Sequence, residues 1–142
     1  QEEMRFKRIG SPFALILLDI DHFKRVNDTF GHACGDEVLF SVSRGLEKAL
    51  RAQDILARWG GEEFICLLPE TGTDGAKSAA EKIRTDMERQ RHDCIDDDVP
   101  ITVTAGVCVY DGSCAIEECI RRADEALYKG KIQGRNQVVL SV

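Results

Sequence analysis

No apolar run in the 142 residues approaches the roughly 20 that a membrane-spanning helix needs, and the opening residues do not resemble a signal peptide. Membrane contact is therefore not expected of this domain. Positive charge is also short: 19 Lys and Arg stand against 25 Asp and Glu, a net charge of −6. That balance argues against bulk nucleic-acid binding, which favours a basic surface, but leaves room for a small anionic ligand held by a few local cations or a metal. Aromatics (6%) and prolines (3) are few, and neither an internal repeat nor a low-complexity stretch is present. The six cysteines (Cys34, Cys66, Cys94, Cys108, Cys114 and Cys119) contain no C-x-x-C pair and no zinc-ligand spacing with histidine. They read as reduced thiols in a cytoplasmic domain.

What is present is an ordinary globular composition, 43% hydrophobic and 31% charged, with length for one domain and a real core. Phe13 to Ile20 is an apolar run of the kind buried on both faces of a sheet, and it ends in Asp19 and Asp21. A carboxylate at the end of a buried strand is unfavourable unless paired. Asp21 can cap a short helical segment, His22 to Thr29, whereas Asp19 has no such role. Gly31 to Gly35 breaks the chain, and a helix opens near Asp36 with Leu39, Val42, Leu46 and Ala49 on one face. Two period-2 runs, Ile55 to Trp59 and Phe64 to Leu68, are joined through Gly60-Gly61 and read as a hairpin with a tight primed turn. Glu62 and Glu63 follow that turn at once. Adjacent like charges in a strand gain nothing for folding, so their reason lies elsewhere.

Ala76, Ala79, Ala80, Ile83 and Met87 mark the next helix, and the acidic stretch Asp96 to Asp98 reads as a solvated loop. Ile101 to Tyr110 alternates as a strand. Ile116, Cys119, Ile120, Ala123 and Leu127 form the stripe of a last helix that Gly134 stops, and Gln137 to Val142 reads as an edge strand. The order is βα(α)ββαβαβ, whose first part is the split β-α-β unit of ferredoxin-like architectures. A right-handed crossover makes strands one and two parallel, with strand three between them. Asp19 then lies beside Glu62 and Glu63, an arrangement able to hold Mg²⁺ against a nucleoside triphosphate.

Gly60-Gly61-Glu62-Glu63-Phe64, with L-L-D-I-D-H-F-K at 17–24, N-D-T-F-G-H-x-x-G-D-E at 27–37, R-A-D-E-A-L-Y at 122–128 and G-R-N at 134–136, resembles the GGDEF family of diguanylate cyclases. The resemblance covers residues 11 to 142. It implies an α+β, polymerase-palm-like fold with a central, mostly antiparallel five-stranded sheet flanked by helices, and condensation of two GTP into cyclic di-GMP with release of pyrophosphate. It also implies catalysis by a homodimer and a cytoplasmic place in bacterial signalling. Residues 1–10 are expected to connect this domain to an upstream sensory or receiver domain, because the family's preceding segment is absent and the chain looks like a fragment.

By the same resemblance Asp19, the carbonyl of Ile20, Glu62 and Glu63 are the expected ligands of Mg²⁺ (or Mn²⁺), and Glu62, with Glu63 assisting, is the catalytic base. Phe23, Lys24, Lys131 and Arg135 are expected around the substrate, the three cations on phosphates. Lys131 and Arg135, four apart at a helix end, are expected on one helical face. Gly60 and Gly61 let the backbone approach the nucleotide without a Cβ. Asn27 and Asp36, with His32 nearby, are the expected guanine readers: a carboxylate accepts both N1–H and the exocyclic amine of guanine, whereas adenine offers a lone pair at the ring nitrogen. Arg51-x-x-Asp54, with Lys82 from the following helix, matches a site for inhibitory product. The same pair also reads as an arginine at a helix end and a capping aspartate. Gly130, where alanine is usual, is expected to weaken the last helix by roughly 1 kcal/mol. The alternative reading is a silent domain that serves as a GTP or cyclic di-GMP receptor.

Overall fold

The computed structural model describes residues 12–96 and 99–141; the expected connector at 1–10 lies outside the described residues, as does most of the acidic stretch 96–98. The elements run β1 (Phe13–Ile20), α1 (Phe23–Phe30), α2 (His32–Ala49), β2 (Ile55–Arg58), β3 (Glu63–Pro69), α3 (Thr73–Arg89), β4 (Val103–Tyr110), α4 (Ile116–Ile132) and β5 (Val138–Leu140). They build one five-stranded sheet in the order β2-β3-β1-β4-β5. β1 is antiparallel to both β3 and β4, β2 is antiparallel to β3, and β5 is parallel to β4. The expected α+β architecture, with β3 between the parallel β1 and β2, is what the chain adopts. Among the described residues no helix is long and apolar enough to cross a membrane.

Every residue of β1 is buried, because helices cover both faces of the sheet. Period-2 alternation divides its side chains. Ala14, Ile16, Leu18 and Ile20 pack with the stripes of α2 (Val38, Val42, Leu46) and α3 (Ala76, Ala80, Ile83, Met87). Phe13, Leu15 and Leu17 face α4 through Cys119, Ala123 and Leu127. Asp19 follows the odd-numbered set, so it emerges on the α4 side of the sheet. α4 approaches β4 closely at Gly106: a Cβ there would lie 2.1 Å from the Ala123 carbonyl oxygen and 2.4 Å from the Leu127 nitrogen.

Several sequence expectations change. α2 begins at His32 rather than near Asp36, and the chain break is Gly31 alone (φ 92°). Gly35 lies within that helix, and its lack of a side chain makes room for α1: a Cβ would meet the Asn27 Oδ1 at 1.9 Å. Asp21 does not cap α1. The residue before that helix is His22 in a left-handed conformation, and no side chain caps it. Gly130 is not merely a weak helix residue, since a Cβ there would sit 2.7 Å from the Thr104 methyl. Its absence lets α4 settle against β4, which offsets the lost propensity. The cysteines are not all reduced: Cys34 and Cys94 form a disulfide across 60 residues, with Cα atoms 5.6 Å apart. Spacing rules see only near neighbours in sequence; this pair meets because α2 and the loop after α3 do.

Candidate functional site

β1 delivers Asp19 to the rim of the sheet directly opposite Glu63 on β3 and Thr104 on β4. The Ile20 amide donates to the Glu62 carbonyl at 3.2 Å, which sets Glu62 beside it. Asp19 is buried, and burial raises its carboxyl above the ordinary value. The nearby Lys131 opposes that shift, and Glu62 and Glu63 reinforce it. Lys131 Nζ donates to Asp19 Oδ2, while Oδ1 is buried without a hydrogen-bond partner among the described residues. A buried carboxylate oxygen with no partner is unfavourable, and the residue that carries it lines a cleft of about 510 Å³.

Asp19, Ile20, Phe23, Lys24, Glu62, Lys131 and Arg135, all expected at the site, line that cleft. Glu63 is not among its lining residues; its carboxylate lies toward Gly60, 3.4 Å from where a Cβ would be. Among the described residues no three His, Cys, Asp or Glu side chains gather as a ready metal cage. The donor set nonetheless suits a hard divalent cation. It offers an orphan carboxylate oxygen on Asp19, the carboxylate of Glu62 and the neighbouring Ile20 carbonyl, all oxygen donors. Lys24, on the exposed side of α1, pairs with Asp28 at 3.0 Å, and Arg25 and Asp28 join the lining.

The hairpin differs from the expected primed turn. Trp59 to Glu62 form a four-residue connection closed by the Trp59 amide on the Glu63 carbonyl at 2.8 Å. Neither Gly60 nor Gly61 has positive φ. Arg58 Nε instead clamps the loop by donating to the carbonyls of Gly60 (3.2 Å) and Gly61 (3.1 Å). A Cβ at Gly61 would meet nothing within 4 Å. Neither left-handed backbone nor crowding within the chain demands glycine at 61, so the open space itself is the feature.

Arg135 does not share a helical face with Lys131, because α4 ends at Ile132. Gly134 (φ 123°), Arg135 (φ 63°) and Asn136 (φ 47°) follow in left-handed backbone, and the Arg135 amide closes back on the Gly130 carbonyl at 2.9 Å. Asp21, assigned by its position to a helix cap, anchors this turn instead. It accepts from Thr102 Oγ1 (2.7 Å), Thr104 Oγ1 (2.6 Å) and the Asn136 amide (2.9 Å). Nothing in the sequence marks that network, since its members stand 81 to 115 positions away.

The expected base readers lie apart from this cleft. His32 and Asp36 are exposed on the first turns of α2, with Asn27 of α1 packed over Gly35. Asp36 lines two cavities, about 330 Å³ with Phe40, Arg58 and Phe64, and about 470 Å³ with Phe40, Arg91 and His92. The first reaches the base of the hairpin through Arg58 and Phe64. At the opposite end of β2, Arg51 and Asp54 are bound to each other. Arg51 Nη2 donates to Asp54 Oδ1 at 2.8 Å, the Arg51 amide donates to Oδ2 at 2.8 Å, and Nη2 also reaches Thr71 Oγ1 at 2.9 Å. Lys82 pairs with Asp86.

Known proteins resemble the chain over nearly its whole length. The family described as "Diguanylate cyclase, GGDEF domain" matches residues 1–137. Diguanylate cyclase DgcM of Escherichia coli is 42% identical over 137 residues, covering 96% of this chain but 33% of the relative, so the chain spans about a third of that protein. Among solved structures, the active GGEEF domain of a diguanylate cyclase from Vibrio cholerae superposes with a TM-score of 0.92 at 36% identity, covering 99% of this chain and 90% of that one. The GGDEF domain of DgcB from Caulobacter crescentus, solved with c-di-GMP, gives 0.92 at 32% identity, covering 99% and 84%.

Proposed function

The chain belongs to the GGDEF family of diguanylate cyclases, and from that premise we propose that it condenses two GTP into cyclic di-GMP and releases pyrophosphate. The observation that carries the reading is Asp19, a buried carboxylate with one unpartnered oxygen, in the lining of a cleft shared with Glu62, Lys24, Lys131 and Arg135. Diguanylate cyclases of this family use a divalent metal. Here Asp19, the Ile20 carbonyl and Glu62 would hold Mg²⁺ (or Mn²⁺), with Glu63 in support. When bound, the ion supplies charge neutralisation for the triphosphate and a lowered pKa for a hydroxyl.

The chain's own groups account for the rest. Lys24, Lys131 and Arg135 bind phosphate oxygens. The glycine loop admits the nucleotide where any other residue would place a Cβ. Asp36, with Asn27 and His32, reads guanine at the other side of the hairpin. Glu62 accepts the proton of the 3′-hydroxyl as that oxygen attacks the α-phosphorus of the facing GTP, and pyrophosphate leaves. Each domain presents one such set and the product is two-fold symmetric, so two copies face each other through their hairpins. Product binds at Arg51 and Asp54, with Lys82 in support, once the pair opens, and restrains the two copies apart. An upstream domain in the full-length protein sets their meeting.

Incubation with GTP and Mg²⁺ tests the proposal by the appearance of pyrophosphate and cyclic di-GMP. Asp19→Asn and Glu62→Gln are expected to abolish both while keeping a cooperative melt, and full turnover by either variant refutes the assignment. Tight GTP binding without pyrophosphate from the intact parent at high protein concentration favours the receptor reading, in which Lys131 stays on Asp19.

A further inference from the structure

We propose that Asp21 is a positioning residue for Arg135, acting through the backbone of the left-handed turn at 134–136; the inference rests on the phosphate-binding reading of the cleft. Arg135 and Asn136 carry φ of 63° and 47°, a region that residues with a Cβ enter rarely. Two such residues in succession persist only where their surroundings hold them. One end of the turn is closed by α4 itself, through the Arg135 amide on the Gly130 carbonyl at 2.9 Å. The other end is held by the Asn136 amide, which donates both to Asp21 Oδ2 (2.9 Å) and to Thr104 Oγ1 (3.0 Å).

Asp21 is only 4% exposed, and its carboxylate is fully engaged. The Thr102 and Thr104 hydroxyls of the β4 segment donate to it from one side and the turn from the other. The Asn136 side chain is caught as well, accepting from Arg84 Nη1 at 3.0 Å and donating to Glu88 Oε2 at 2.9 Å, both on α3. Asn136 is therefore fixed by β4, α3 and the end of β1 together. Arg135 contrasts with it: the residue lines the cleft with Asp19 and Lys131, and its guanidinium makes no hydrogen bond or ion pair among the described residues. An immobile backbone carrying an uncommitted cation into an anion-binding cleft is pre-organisation. Asp21, which is not among the residues lining the cleft, supplies the rigidity.

The test is a double-mutant cycle on binding of 3′-deoxy-GTP with Mg²⁺, a substrate analogue that lacks the attacking hydroxyl and so reads binding without turnover. Arg135→Ala and Asp21→Ala are each expected to weaken binding roughly tenfold, the loss of one charge-assisted phosphate contact. In the Arg135→Ala background, Asp21→Ala is expected to weaken it no further. Asp21→Asn keeps an acceptor for the Asn136 amide and an amide donor for Thr104 Oγ1, so it should restore near-parental binding. Should Asp21→Ala lack a cooperative melt, Thr104→Val enters the same cycle with a smaller effect. Parental binding by Asp21→Ala, or equal weakening with and without Arg135, overturns the proposal and leaves the phosphate cleft standing. Parental binding by Arg135→Ala overturns the assignment of Arg135 to phosphate, and this proposal with it.

Discussion

Breaking the tie between Cys34 and Cys94 should cost the domain much of its stability. The disulfide closes a loop of 60 residues, for which loop-closure entropy of the unfolded chain corresponds to about 4 kcal/mol at 25 °C. For 142 residues at about 2.1 cal/mol/K each, the unfolding entropy is about 0.3 kcal/mol/K, so the melting midpoint should fall by about 13 °C. Melts of the parent with and without a dithiol reductant, beside Cys34→Ser and Cys94→Ser, measure it. The two serine variants should match the reduced parent closely, with an extra loss for Cys34→Ser, because Cys34 is buried and serine brings a hydroxyl there. Thiol counting gives an independent reading: the unfolded, unreduced parent should expose four thiols (Cys66, Cys108, Cys114 and Cys119) and six after reduction. Burial pushes the Cys66 thiol up to about 12, so it should stay unmodified by alkylating agents at pH 8 until the domain unfolds. Six reactive thiols without reductant, or identical melts with and without it, refute the tie.

Three other outcomes follow from the geometry. Asp36→Ser should weaken GTP binding by about 1.5–3 kcal/mol for each charge-assisted bond lost, and equal GTP affinity in calorimetry refutes the base-reading role. Arg51→Ala should leave the initial rate nearly unchanged and reduce inhibition across a cyclic di-GMP titration. It should also lower stability by about 1–3 kcal/mol, because the Asp54 side chain, 2% exposed, loses its guanidinium partner. Gly106→Ala should destabilise by about 1–3 kcal/mol or more and lower activity, since its Cβ meets the backbone of α4 and displaces the helix that carries Lys131; an unchanged melt refutes that packing argument.

The order of β2, β3 and β1 and the meeting of Asp19 with the hairpin carboxylates were legible in the sequence because they depend on local signals, whereas the pairing of β4 with the other edge of β1 was not. An apolar run at 13–18, period-2 segments either side of two glycines and helical stripes such as Val38, Val42 and Leu46 specify elements. Right-handed crossover then leaves few ways to arrange them. Parity along β1 already determined that Asp19 and Leu17 share a face. Which helix covers that face, and hence that Lys131 meets Asp19, depended on packing. The same holds for Asp21, whose position one residue before His22 suggests a helix cap, whereas its donors come from residues 81 to 115 positions away. Arg135 and Lys131 are four apart in sequence but not on one helix, because the chain leaves α4 at Gln133 and turns left-handed. The disulfide was hidden for a related reason: a bond across 60 residues requires that the fold bring two cysteines to a suitable separation and orientation, here with Cα atoms 5.6 Å apart, and no local pattern records that. Periodicity and turn chemistry act over a few residues, so they specify elements and their order; contacts between distant side chains exist only once the helices have docked on the sheet.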